Sequence, residues 1–180
     1  MEQYNACAIT GHRPTRFKFG YKEQYAGCKR LKKRLRDQFA LLYQQGIRRF
    51  YVGGALGVDM WAGEILLRMK GQPEYQDIDL FITIPFEGHD AGWDERSRTR
   101  LAFLRRNCSG AIVVGMEGWR PEKSYRERNQ YMVDHADVIV AVYDKDHSIR
   151  SGTGMTVNYA KKKGLHIFYI HPDTAVVSNE

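Results

Sequence analysis

Short, nearly unbroken apolar runs recur along the chain, separated by longer segments in which apolar residues return every three or four positions. The runs are Ala6–Thr10, Arg49–Val52, Leu80–Ile84, Ala111–Val114, Val138–Tyr143 and His166–Ile170. Such runs suit strands covered on both faces, where in–out alternation disappears. The segments between them predict helices over Lys22–Gln45, Val58–Lys70, Trp93–Asn107, Glu122–His135 and Gly154–Lys163. In the first of these Leu31, Leu35, Phe39 and Leu42 share one helical face. Gly46 and Gly164 stand where a C-cap glycine belongs, the second after Lys161-Lys162-Lys163, whose charge suits a helix C-terminus.

Strict alternation of strand and helix implies parallel pairing with right-handed crossovers. The predicted fold is α/β, a Rossmann-like three-layer sandwich with a mostly parallel sheet of about six strands. No repeat or linker divides the chain, so residues 1–180 read as a single domain. Loops Pro85–Gly92 and Gly115–Lys123 leave strand carboxyl ends and are placed to overhang a ligand crevice. The polar tail from Asp173 onward is expected to be loosely ordered.

Composition narrows the function classes. No apolar run approaches the ~18 residues of a membrane span. The segment Met1-Glu2-Gln3-Tyr4-Asn5 is polar and lacks the apolar stretch of a signal peptide, so a cytoplasmic protein without membrane partners is expected. Cys7, Cys28 and Cys108 are widely spaced, form no CxxC pair and accompany no histidine cluster at zinc spacing. Neither a disulfide scaffold, a metal nor a covalently bound cofactor is implied, and Cys7 reads as a small buried hydrophobe. Net charge is +7, which favours an anionic small molecule or nucleic acid. The densest basic run, Lys29–Arg36, falls on the outer side of the first helix, as a solvated face or, alternatively, a nucleic-acid-binding one.

Candidate chemistry gathers where strands end. The first predicted strand runs into Gly11-His12-Arg13-Pro14, the second into Gly53-Gly54-Ala55-Leu56-Gly57-Val58-Asp59, and the fifth, past a polar loop, into Ser151-Gly152-Thr153-Gly154. In an open parallel sheet these ends share one edge, and ligands bind in the crevice outside it. Gly53, Gly54 and Gly57 would let a ligand approach the backbone, or make a tight strand-to-helix turn without one, while Ser151, Gly152 and Thr153 would cradle a phosphate at a helix N-terminus. Arg13 suits a bidentate phosphate contact, and His12 can donate a hydrogen bond or move a proton. Asp59 would accept a ribose hydroxyl or simply complement the helix dipole. At helical spacing Arg128 and Asn129 share a side with Tyr125 and Met132, which suits either a lean toward the sheet edge or a buried structural arginine, and Asp144 follows the fifth strand. Glu87, His89 and Asp90 form a polar group after the third strand, suited to a turn, a base or a metal ligand. The spacing matches neither the dinucleotide GxGxxG fingerprint nor the P-loop, which counts against a standard NAD dehydrogenase or P-loop NTPase.

Taken together, Thr10-Gly11-His12-Arg13-Pro14, Gly53-Gly54-Ala55-Leu56-Gly57-Val58-Asp59 and Arg128-Asn129-x-x-Met132-Val133-Asp134 resemble the signatures of the YpsA-like branch of the SLOG superfamily, over about Ala6 to Ile170. That superfamily also holds the DNA-processing protein DprA and the LOG nucleotide-activating enzymes. The resemblance implies a Rossmann-like domain binding a nucleotide or an ADP-ribose-like ligand, as a sensor or regulatory protein. LOG enzymes carry a PGGxGTxxE pattern; here Ser151 stands for its first glycine, Met155 for its threonine and Asn158 for its glutamate. Without that carboxylate, N-glycosidic hydrolysis loses its expected acid or base. An alternative is cleavage of an N-glycosidic or phosphoester bond through His12, Asp59, Glu87 or Asp144. A further one is DprA-like binding of single-stranded DNA, favoured by positive charge and many tyrosines. Homo-oligomers are common in such folds, so a homo-oligomer is an expectation by analogy.

Overall fold

The computed structural model describes residues 4–115 and 120–180. Its elements follow in the order β1 (Ala6–Gly11), α1 (Ala26–Gln44), β2 (Arg49–Gly53), α2 (Val58–Lys70), β3 (Asp79–Ile84), α3 (Glu95–Asn107), β4 (Gly110–Val113), α4 (Pro121–Asp134), β5 (Val138–Val142), α5 (Gly152–Lys162), β6 (His166–Ile170) and β7 (Val177–Asn179). The expected Rossmann-like sandwich is what the chain forms. Its seven-stranded sheet has the order β4-β3-β2-β1-β5-β6-β7, parallel except for the last pair.

Alternate residues of each central strand feed opposite faces, because side chains point up and down with a period of two. Cys7, Ile9, Phe50, Val52 and Val140 join α1, α2 and α3 in the larger core. Ala6, Ala8, Tyr51, Ile139 and Ala141 pack instead against Met132 and Val133 of α4 and Val157 and Ala160 of α5. Leu31, Leu35, Phe39 and Leu42 are all buried, as their spacing predicts. Leu35 is wholly enclosed, so trimming it to alanine would cost ~2–5 kcal/mol. Gly46 and Gly164 close their helices in the left-handed region, at φ +103° and +75°.

The chain steps outward from β1 through β2 and β3 to β4, then returns through α4 to β5 on the other flank of β1. Connections therefore diverge on either side of the β1–β5 pair, which opens a crevice at its carboxyl end. This topological switch point positions the candidate site.

Two expectations change most. The first helix begins at Ala26 and not at Lys22. Residues ahead of it fold as consecutive turns, and the Glu23 carboxylate reaches back to Lys32 of α1 and across to Arg100 of α3. The tail beyond Asp173 is also ordered: Val177–Asn179 pairs antiparallel with β6. The Tyr169 hydroxyl donates to the Glu180 carboxylate at 2.8 Å, and Lys161 lies 3.1 Å from it. The tail thus covers a sheet edge that would otherwise present unpaired backbone groups. Of the predicted overhanging loop Gly115–Lys123, residues 116–119 lie outside the described residues. Among the described residues, no helix is long and apolar enough to cross a membrane.

Candidate functional site

A cleft of about 360 Å³ opens at the switch point, between the ends of β1 and β5 and the first turn of α5. Gly11, His12, Arg13 and Asp59 line it together with Arg128 and Asn129 of α4. Ser151, Gly152 and Thr153 close its far side. Arg16 and Arg150 join them, although neither stands in a motif. Their positions next to His12-Arg13 and Ser151 are the only sequence signal they carry.

The Ser151-Gly152-Thr153-Gly154 segment is the start of α5, two residues earlier than its pattern predicts. Ser151 is the N-cap, and its hydroxyl accepts from the Gly154 N–H at 3.0 Å. That hydroxyl is therefore already engaged within the helix. The N–H groups of Gly152 and Thr153 have no intrahelical partner and lie at the positive end of the helix dipole. Among the described residues, a Cβ added at Gly152 would meet nothing within 4 Å, so the backbone here is approachable.

Two cations on the cleft are uncommitted. Arg13 and Arg150 are exposed and make no ion pair among the described residues. The Arg13 guanidinium lies 5.3 Å from the Tyr125 ring centroid, and Arg128 lies 5.7 Å from the same ring. Arg16 is occupied: its Nη2 donates to Asp144 at 3.1 Å.

Arg128 is a buried cation, only 4% exposed, beside the equally buried Asp59. Arg128 Nε donates to Asn129 Oδ1 at 2.8 Å, and Asp59 accepts from the Ala55 N–H at 3.3 Å. Burial raises the Asp59 pKa, with the Arg128 charge pulling it back down. One helix face thus carries a half-buried Asn129 and a buried guanidinium whose charge acts on Asp59.

His12 is buried, and its Nε2 sits 3.6 Å from Asp144 Oδ1, beyond hydrogen-bond length. Burial depresses its pKa first and the Arg16 charge adds to this, while Asp144 acts in the opposite sense. The ring is held edge-on against Tyr143 at 5.5 Å. Asp144 does not line the cleft; it stands behind it, holding Arg16 and facing His12.

Gly53, Gly54 and Gly57 also lie one layer behind the cleft, and protein atoms fill the space above each. A Cβ on Gly53 would sit 2.4 Å from Asp59 Oδ2 and 2.6 Å from Arg128 Nη1. One on Gly54 would meet Ile84 Cδ1 at 2.6 Å, and one on Gly57 the His12 carbonyl oxygen at 2.8 Å. Gly57 has φ +87°, which further disfavours any side chain. These glycines let the walls of the site pack together. Gly11 does the same against Val58, although it also reaches the cleft.

Outside the cleft, Glu87 is exposed and paired with Arg105 at 2.7 Å, while His89 Nε2 meets the Gly54 carbonyl oxygen at 2.7 Å. Burial pushes the thiols of Cys7 and Cys28 up, the latter to about 11. Both are poor nucleophiles at neutral pH. Among the described residues, no group of three or more His, Cys, Asp or Glu side chains is placed to hold a metal ion.

Residues 7–175 match the model of the YspA SLOG family. A UPF0398 protein of Bacillus thuringiensis (strain Al Hakam) is 28% identical over 168 residues, covering 91% of this chain and 88% of that protein. A UPF0398 protein of Bacillus cereus (strain Q1) matches to the same extent. Among solved structures, DNA processing protein A from Helicobacter pylori superposes with a TM-score of 0.59 at 20% identity. That likeness covers 93% of this chain, which spans 65% of the length of that one, and at such identity it establishes the shared fold.

Proposed function

The chain belongs to the YspA SLOG family, and from that footing we propose that it binds a phosphate-bearing, nucleotide-derived ligand in the switch-point cleft, as a binding or sensing protein. The observation that carries this reading is the convergence of Arg13, Arg150 and the first turn of α5 on one cleft. Two cations and two backbone N–H groups that have no partner among the described residues form a ready anion site. Asn129 and the buried Asp59 stand beside it, suited to ribose or base hydroxyl and amino groups.

Catalytic cleavage is less well supported. Asn158 is exposed on α5 in the place a LOG enzyme's glutamate would take, and cannot exchange a proton. Of the candidate carboxylates, Asp144 is engaged by Arg16, Glu87 by Arg105 and Asp59 by the Ala55 N–H.

A thermal-shift panel of nucleotides and ADP-ribose, followed by calorimetry, tests the proposal. A ligand at ~100 times its dissociation constant adds ~2.7 kcal/mol of stability. The hit should be lost in Arg13→Ala. A panel without any shift would defeat this reading.

One observation favours a second reading. The superposed DNA processing protein A from Helicobacter pylori has a single-stranded DNA binding mode. In this chain an open groove between α4 and α5 carries Arg126, Arg150 and Lys162 with Tyr125 and Tyr159. Oligonucleotide affinity falling steeply with salt would support it. Weak, salt-insensitive binding would remove it.

A further inference from the structure

Beside the cleft lies a second cavity of about 220 Å³, enclosed between the turn after β1, the β2–α2 loop and the segment leading into α3. The two share Arg13, Thr15, Ala55 and Tyr125, so they are neighbouring compartments with Arg13 and Tyr125 at the partition. Their linings differ in character. The cleft is faced by cations and a helix N-terminus, the smaller cavity by the rings of Tyr21, Trp93, Tyr125 and His89.

We propose that this aromatic cavity receives the heteroaromatic base of the ligand whose phosphate occupies the neighbouring cleft, so that the substrate class is a nucleoside 5′-phosphate bridging the two across Arg13. It rests on the phosphate reading above and adds the second subsite.

Several features converge on a flat, hydrogen-bonding aromatic guest. Tyr21 is 65% exposed although it is aromatic, and it lines this cavity. Trp93 is half-buried and meets the His89 ring edge-on at 5.3 Å, which fixes the opposite wall. His89 is only 9% exposed. Its Nε2 faces a carbonyl oxygen at 2.7 Å and must therefore be the N–H donor. In the neutral ring Nδ1 is then an acceptor, and it has no hydrogen-bond partner among the described residues. Burial, by depressing the His89 pKa, favours that neutral form. A buried acceptor lacking a donor is costly, and this one belongs to a residue that lines the cavity. Joined, the two compartments fall within the ~300–1,000 Å³ usual for small-molecule sites, whereas the aromatic one alone is too small.

Calorimetry with ribose 5-phosphate and with AMP, GMP, CMP and UMP separates the two subsites. The tightest nucleotide should bind the wild-type protein roughly ten- to a hundredfold better than ribose 5-phosphate, the usual worth of stacking one base on aromatic side chains. Tyr21→Ala, at an exposed position that does not endanger folding, and Trp93→Leu should each erase most of that advantage. Ribose 5-phosphate affinity should be unchanged in both variants, which also reports an intact fold. Equal affinity of all nucleotides and ribose 5-phosphate for the wild type would overturn the base subsite and leave the phosphate cleft standing. An undiminished nucleotide preference in both variants would overturn it too. No binding of any probe would overturn both readings.

Discussion

The Asp59 carboxylate and the Arg128 guanidinium close over the bare Cα of Gly53, where they take the space a side chain would need. An ideal Cβ there would lie 2.4 Å from Asp59 Oδ2 and 2.6 Å from Arg128 Nη1. Both charged groups are nearly devoid of solvent, so each depends on the other's field and on its hydrogen bonds. Gly53→Ala forces this arrangement apart and should destabilise the protein by about 1–3 kcal/mol. Asp59→Asn keeps the shape but leaves a buried cation uncompensated, and should cost more, about 3–5 kcal/mol. Urea unfolding of the two variants checks the order.

Ser151→Ala separates the helix cap from the anion site. The Ser151 hydroxyl is engaged by the Gly154 N–H, so its loss acts on α5. We expect ~1 kcal/mol less stability. Affinity for a phosphate ligand should fall much less than in Arg13→Ala, where a charge-assisted contact worth ~1.5–3 kcal/mol disappears. Comparable losses of affinity in both would mean that the serine itself contacts the ligand.

Legibility in the sequence followed burial. Strands β1, β2 and β5 are enclosed on both faces and read directly as apolar runs. Strand β7 offers no such signal, because Val177-Ser178-Asn179 lies at an edge and owes its conformation to pairing with β6. In the site, Arg13 and Arg128 stand in recognisable motifs, whereas Arg16, Arg150, Tyr21 and Trp93 are brought in by loops from separate parts of the chain. The glycines show the deeper limit. A glycine in sequence announces that something comes close to the backbone, but not what. At Gly53 and Gly54 the close neighbours are the protein's own Asp59, Arg128 and Ile84.

His12 should report its two charged neighbours in opposite directions. Its pKa lies below 6.5, first from burial and then from Arg16, with Asp144 opposing. Arg16→Ala should therefore raise it, and Asp144→Asn should lower it further. Because the folded value is depressed, the stability due to the neutral ring is present above 6.5 and is lost as pH falls below it. Imidazole chemical shifts followed against pH measure both changes, and shifts of the same sign in the two variants would contradict the geometry.

Acid sensitivity should centre on Glu23, which ties the segment before α1 to two other helices. Its carboxylate accepts from Lys32 at 2.7 Å and from both Arg100 nitrogens at 2.7 and 3.1 Å, and Arg100 also binds Glu64. Burial alone would raise the Glu23 pKa, but the hydrogen bonds and charges of Arg100 and Lys32 outweigh it and hold it at about 2. A depressed carboxylate pKa stabilises the fold above the unfolded value of 4.5, and that contribution drains away as pH falls from there toward about 2. With a side chain 28% exposed, solvent screening leaves an effect of roughly 2 kcal/mol. Glu23→Gln should accordingly be less stable than wild type at pH 7, and the gap should narrow toward pH ~3 in urea titrations. A gap that stays constant with pH would mean that packing of this segment, and not its charge, holds it across α1 and α3.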